Sequence, residues 1–345
     1  MIRSVRCKLA LSLQLQSLVK SNVVYLMQQK ANACRFNSNC NGHYESYFQR
    51  ANHPTRPLAF WIRYTIYSPK NEPDKTVGEI WAIYFDGEQG QIVSVKEVVP
   101  WKKCQFSHDG LDVTVGTSTL REARMQGQAS TQQETIMWDL YSQGEEPPLL
   151  LLPPKYYETA LPKAKALVGT PNASYNGKLT VNGQDIIIDH WIGSKNHNWG
   201  SKHTDQYAWG QVAGFDNQPD AFLECSTARI KVGPFWTPWL TLIVLRYKGE
   251  EFTLNQPLLA LKSKGSYTLN KWEFDGQNKT VRISGSIEAP STSFVALDYS
   301  NPPGGIKTCL NSKIAHCQIT LERTGHKPVH LLTEHRAAFE ILMDA

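Results

Sequence analysis

The chain has 345 residues, of which 41% are hydrophobic, 19% charged and 10% aromatic, enough apolar material for one large domain or two ordinary ones. Its formal net charge of +5 sits at the beginning, where residues 1–50 carry seven basic side chains against Glu45 alone, so the rest is near neutral. A neutral body lacks the basic footprint that grips a phosphate backbone, which argues against nucleic-acid binding. No apolar run reaches the ~20 residues of a membrane-spanning helix, which leaves only peripheral access to a membrane open.

Residues 9–27, LALSLQLQSLVKSNVVYLM, are broken by Gln14, Gln16 and Lys20 and followed by Ala31-Asn32-Ala33, a small-residue pattern like a cleavage site. Residues 1–33 therefore read either as an export signal or as a dispensable extension, and 1–40 are set apart from the fold. The seven cysteines are scattered without a Cys-x-x-Cys pair, so reduced thiols and a cytoplasmic location are expected, with export the alternative.

From Gly42 onward, β-branched and aromatic stretches alternate with Gly, Pro and Asn punctuation. Strands are expected at 59–68, 78–86, 110–116, 177–183, 184–193, 221–232 and 279–289, with turns at Asp86-Gly87, Asn176-Gly177, Asn182-Gly183, Asp275-Gly276 and 301–305. Without helical periods between them, these strands predict an all-β fold of antiparallel barrels or sandwiches. Only LLTEHRAAFEILM (331–343) reads as a short amphipathic helix, since Leu332, Ala338, Phe339 and Leu342 can share a face.

The proline-rich stretch 145–171 marks a seam. It divides the chain into an N-terminal β-domain over 41–150, a strap over 151–171 and a C-terminal β-domain over 172–345. The leucines 149–152 read as an apolar strap laid across a domain interface.

The central stretch IGSKNHNWGSKHTDQYAWGQV (192–212) holds two His, two Trp and an Asp. On an extended strand, residues two apart share a face, so His197 projects with Trp199 while Asn196 and Asn198 face the other way. Asp205, Tyr207 and Trp209 share a phase after the turn at Gly200-Ser201. Inside a barrel such a face would wall a pocket.

That wall suits carbocation chemistry, in which an acid protonates a double bond, aromatic faces stabilise the cation, and water or an internal hydroxyl traps it. Glu224, flanked by Phe222, Leu223 and Cys225, is the candidate acid, because apolar company raises a carboxyl pKa; Asp205 is the second candidate. Bland readings compete. His197 serves equally as a satisfied core imidazole, and Glu224 as a buried ion pair with Arg229 or Arg246. A metal held by His190, His197 and His203 is disfavoured, since the first interval places two of them on opposite strand faces. No G-x-S-x-G, H-E-x-x-H, P-loop or G-x-G-x-x-G occurs.

The succession of residues 177–183 (GKLTVNG), 196–200 (NHNWG) and 207–210 (YAWG) resembles the lipocalin-like superfamily that includes carotenoid 1,2-hydratase (hydroxyneurosporene synthase) and its secreted, hydrolase-named relatives, with tocopherol cyclase a more distant relation. The general pattern extends over about residues 42–343 and is specific over 177–232. The resemblance implies two calycin-type β-barrels. In the hydratase branch, a His-x-Trp pair followed on the next strand by Tyr-x-Asp is associated with protonating an isoprenoid double bond. His197-Asn198-Trp199 matches the first pair, whereas the second falls on Phe222-Leu223-Glu224, a Phe for Tyr and a Glu one methylene longer than Asp.

The expectation is thus a cofactor-independent hydratase or cyclase for an isoprenoid or other apolar substrate. Its catalytic set would be Glu224, His197 and Asp205, and its binding wall Trp199, Tyr207, Trp209, Phe222 and Asn196. The alternative is a noncatalytic carrier of the same ligands. A third reading, carbohydrate recognition through Trp236 and Trp239, conflicts with the prolines of GPFWTPWL.

Overall fold

The computed structural model describes residues 21–342 and consists of antiparallel strands with little helix. Much of the expected leader, residues 1–20, lies outside the described residues. Residues 21–32 form a helix, and the segment after it packs onto the first sheet. Ala31, Ala33, Cys34 and Phe36 are buried, and the Cys34 amide donates to Ser107 O at 2.8 Å. From residue 21 onward the expected extension is therefore part of the fold.

Strands form two large sheets and a small hairpin. The first sheet runs, edge to edge, Gln91–Pro100, Val77–Asp86, Leu58–Ser68, His43–Asn52, Gln184–Gly200, Ala164–Val181, Thr135–Gln143, Arg124–Ser130 and three short strands between Cys104 and Arg121. It curls until Ser130 donates from its amide and hydroxyl to Glu97 Oε1, at 2.7 and 2.8 Å, so that strands far apart in the order meet as in a barrel. The second sheet runs Glu250–Leu254, Leu240–Tyr247, Gln218–Arg229, Gln206–Phe215, Val329–Leu342, Ile306–Arg323, Val281–Glu288, Lys271–Gln277 and Lys264–Tyr267.

Each sheet wraps its own core. Tyr47, Phe60, Tyr64, Trp138, Tyr175 and Trp191 fill the first, and Phe215, Leu223, Trp272, Ile283 and Phe339 the second. A third cluster joins the outer faces of both sheets. It sets Phe48, Trp61, Trp81 and Phe85 of the first against Leu297, Tyr299, Cys309 and Leu342 of the second. Central strands are therefore buried on both faces. All ten residues of His43–Asn52 are buried, which is why that strand does not alternate cleanly between apolar and polar.

Two sequence expectations need revision. The switch between sheets falls between Gly200 and Gln206, because Ala164–Val181 and Gln184–Gly200 both pair within the first sheet; the proline-rich stretch 145–171 runs into the first of these strands and does not coincide with the switch. Leu149 and Leu151 instead pack with Val168 of the first sheet and with Ala213, Phe222 and Val244 of the second, so the strap spans the junction. The expected C-terminal helix is the strand Val329–Leu342, paired on both edges. Ala337, Phe339 and Ile341 face the second core while Leu342 faces the junction. Burial on two faces imitates a helical stripe, and a helix there would leave two neighbouring strands unpaired.

Asn176-Gly177, expected as a turn, lies inside a long strand as a bulge. Gly177 has φ 130°, and a Cβ there would sit 2.2 Å from Asp139 O, so only glycine fits. Cys309 and Cys317 both lie on Ile306–Arg323, and the six described cysteines are free thiols.

Candidate functional site

Between the two sheets, and outside both cores, lies a cavity of about 430 Å³. The first sheet contributes Tyr44, Phe48, Trp61 and Arg63, the second Tyr207, Trp209, Glu224 and Ser226, and the strap closes one side with residues 151–153 and Tyr156. Its size and aromatic wall are those of a small-molecule site.

Strand alternation delivers Glu224 to this cavity. In Gln218–Arg229, Leu223 and Cys225 point into the second core, so Glu224 between them points to the junction, where it is 2% exposed. On the neighbouring strand, Trp209 and Gln211 share that face. Trp209 Nε1 donates to Glu224 Oε1 and Gln211 Nε2 to Oε2, both at 2.8 Å. Burial raises the carboxyl to about 7; the two hydrogen bonds and the charge of Arg50 only partly oppose it. At neutral pH this group is therefore a sizeable fraction acid.

A second carboxylate lines the cavity. Glu340 stands opposite Trp209 in register and is held by Lys313 Nζ and Asn311 Nδ2, both at 2.8 Å. The Lys313 ammonium also lies 5.5 Å from the Trp209 ring and 5.8 Å from that of Trp61. The acid and the ion pair thus flank one indole.

Of the residues singled out in the sequence, the structure brings Glu224, Trp209, Tyr207 and Asn196 to the cavity. Asn196 Oδ1 accepts from Gln211 Nε2 at 2.8 Å. His197 borders the same cavity, but its ring nitrogens are engaged on the first sheet's inner face: Nδ1 with Ala31 O and Nε2 with Glu45 Oε1, both at 2.8 Å. Trp199 follows it to that side, packing with Leu167 and Ala31. The His-x-Trp pair therefore turns away from Glu224, and the pocket wall lies between barrels rather than inside one. Phe222 packs beneath the strap with Leu149 and Leu151.

Asp205 is not among the cavity-lining residues. It is clamped by Lys202 at 2.7 Å and by the Lys231 amide at 2.9 Å. Burial pushes its pKa up, but these partners and Lys307 outweigh it and hold the group below the usual aspartate value, which disqualifies it as a proton donor near neutrality.

Neither arginine considered as a partner for Glu224 pairs with it. Arg246 binds Glu146 and Glu251, at 3.2 and 2.8 Å. Arg229 lies between the rings of Trp236 and Trp239, 4.5 Å from each, and donates to Gln206. Those tryptophans are engaged by the arginine rather than forming an open sugar platform. Among the described residues, no group of three or more His, Cys, Asp or Glu side chains is placed to hold a metal ion.

The sequence reading missed Arg63, Lys313 and Glu340. The available signal for Arg63 and Glu340 was a single charge inside a largely apolar strand, AFWIRYTIYS and AAFEILM, whereas Lys313 in CLNSKIAHC stands among polar neighbours and carries no such signal. Such a charge is tolerated only where partners or a cavity await it.

Comparison with known proteins agrees with this architecture. Kievitone hydratase from Nectria haematococca superposes with a TM-score of 0.57 at 12% identity, over 92% of each chain. CghA superposes at 0.54 with 11% identity, over 88% of this chain and 89% of that one. These likenesses are of fold. An uncharacterised protein of Mycobacterium tuberculosis, found in strains CDC 1551 and H37Rv, is 24% identical over 204 residues, 57% of this chain. The match spans 61% of that relative's length. Residues 162–341, more than half of the chain, match the family described as tocopherol cyclase-like, and the chain belongs to that family.

Proposed function

We propose that the protein is an acid-catalysed hydratase or cyclase that acts without a cofactor on an apolar unsaturated substrate, an isoprenoid or similar polyene, held between the two barrels. The observation that carries this reading is the position of Glu224: a buried carboxyl, raised to about 7, facing an aromatic cavity of about 430 Å³.

Protonated Glu224 gives its proton to one carbon of a double bond, forming a C–H bond and leaving a cation on the other carbon. The faces of Trp209, Trp61 and Phe48 stabilise that cation by roughly 0.5–2 kcal/mol each. Water, or a hydroxyl of the substrate itself, bonds to the cationic carbon and surrenders its proton to the Glu224 carboxylate, which restores the acid. His197, Trp199 and Asp205 have no part in this scheme, because their polar groups and rings are committed elsewhere.

The reading draws support from the family and from the hydratase fold among the structural neighbours. Its test is deuterium incorporation into an added isoprenoid alcohol, farnesol, in heavy water. The intact protein labels or cyclises it, and Glu224→Gln loses turnover by about 10²–10⁴-fold while binding persists. Binding without label in the intact protein makes the site that of a carrier.

A further inference from the structure

The charges that face the cavity do not balance. Glu340 is matched by Lys313. Arg63, Lys165 and Arg229 also line the cavity, and among the described residues none has a carboxylate within 4 Å. Arg229 is sheltered by two indoles, and Lys165 donates to Pro162 O at 2.9 Å.

Arg63 is the least compensated of the three. It is 5% exposed, and its hydrogen bonds all end on one hydroxyl: Nε and Nη2 reach Ser46 Oγ at 2.9 and 2.5 Å. Its face lies 4.5 Å from the Tyr299 ring and 5.9 Å from that of Trp61, so rings and one hydroxyl, not a carboxylate, surround it. Among the described residues, the other buried guanidinia are better matched. Arg336 binds Asp216 through two nitrogens, and Arg50 binds Gln211, Asn52 and a backbone carbonyl.

Two more polar residues stand beside Arg63. Asn198 stands opposite Ser46 in register, lines the cavity, and has a buried Oδ1 with no partner. Tyr44, two residues along the same strand face, lines the cavity and stacks on His203 at 3.9 Å. A buried guanidinium without a counter-ion is unfavourable in isolation and becomes favourable when a ligand supplies one, whereas the Asn198 carbonyl oxygen, an acceptor, is completed only by a donor on the ligand. A lone guanidinium with neutral neighbours suits a singly charged oxygen pair; a diphosphate would require several cations.

We propose that the cavity takes an apolar molecule bearing one carboxylate, and that Arg63 receives that group while the hydrocarbon body lies against the aromatic wall toward Glu224. The inference rests on the substrate-cavity reading above and makes the substrate an amphipathic acid rather than a plain hydrocarbon.

The test is a titration of the full chain, followed by tryptophan fluorescence at pH 8, with farnesoic acid and with its methyl ester. The acid binds the unsubstituted protein about tenfold or more tightly than the ester. Arg63→Gln brings the two within about twofold by weakening the acid alone, and Arg63→Lys keeps part of the preference. Equal affinities for acid and ester in the unsubstituted protein overturn the proposal, as does a preference that Arg63→Gln leaves intact, or failure of both probes to bind. Should Arg63→Gln not fold, the acid-to-ester ratio of the unsubstituted protein and of Arg63→Lys decides. Glu224→Gln retains the preference, so a failure of proton transfer at Glu224 and a failure of anion recognition at Arg63 are read separately.

Discussion

Arg50 of the first sheet donates from Nε to Gln211 Oε1 of the second at 2.6 Å, and Nε2 of that same amide donates to Glu224 Oε2 at 2.8 Å. One glutamine thus ties the docking of the barrels to the carboxyl that faces the cavity. The guanidinium also holds Asn52 Oδ1 at 2.8 Å, and Asn52 Nδ2 in turn binds Lys313 O at 2.7 Å. The junction is polar at its centre and apolar around it, an arrangement that fixes register as well as proximity.

Arg50→Met removes a fully buried charge together with its hydrogen bonds and strands Gln211, Asn52 and the Gln211 carbonyl. A loss on the order of 3 kcal/mol is expected. Urea unfolding monitored at the two cores separately checks it. In the variant the two sheets lose structure at different midpoints, and a single unshifted transition would show that the junction does not depend on this network.

The pH dependence follows from Glu224, whose pKa burial raises from 4.5 to about 7. As a proton donor it is active below that value, so kcat falls about tenfold per pH unit above it. The stability sign runs with it. Between pH 4.5 and 7 the folded chain binds more protons at this site than the unfolded chain, so this group makes stability fall as pH rises, by on the order of 3 kcal/mol once pH exceeds 7. Glu224→Gln should therefore be more stable than the unsubstituted protein at pH 8 and lose that advantage near pH 4.5. Thermal melts at both values measure it, and an advantage that does not change with pH contradicts the assignment.

Glu45 anchors the N-terminal segment. Its buried carboxylate accepts from the amides of Arg35 and Phe36 at 2.8 Å each, from Tyr47 Oη at 2.8 Å, and from ring nitrogens of His43 and His197 at 3.0 and 2.8 Å. Burial pushes its pKa up, but the hydrogen bonds from His197 and His43 prevail and hold it well below the usual glutamate range. Its contribution is present above about pH 4.5, the unfolded value, and is lost as pH falls further. Glu45→Gln introduces donors where donors already converge, at a cost of about 2–4 kcal/mol. Hydrogen exchange at Arg35 and Phe36 should accelerate by at least about tenfold, and exchange unchanged from the parent would refute the anchor.

Leu151 couples the strap to both sheets and to the cavity. Leu151→Ala costs about 2–4 kcal/mol if the strap cannot collapse into the gap. Because the strap forms one side of the cavity, farnesoic acid affinity drops in the same variant. A stability loss with affinity intact would mean that the strap supports the junction without closing the site.

The local chemistry of the chain made the strand content legible. Turn residues such as Asn182-Gly183, with φ of 50° and 84°, announce themselves because few residues accept those angles. Glu224 was legible for a similar reason, since a carboxyl between Phe222, Leu223 and Cys225 is unusual wherever the strand lies. The C-terminal strand was not legible, because burial on both faces erases the alternation that marks a strand. The direction of His197 was also hidden. Period-2 alternation shows that it opposes Asn196, but not which of the two looks into the first core.

The sequence by itself determined the all-β class, some of the turns, such as Asn182-Gly183, and the presence of one carboxyl in apolar company, because these depend on backbone sterics and immediate neighbours; Asn176-Gly177 and Asp275-Gly276, which carry the same turn chemistry, lie inside strands. Only the tertiary structure decided that the cavity lies between two sheets, that Trp209, Glu224 and Arg63 border it together, and that His197 and Asp205 are occupied elsewhere. Those facts depend on which outer faces of two separately curled sheets come to rest on each other, a choice made by side chains such as Trp61 and Tyr299 that lie hundreds of residues apart along the chain.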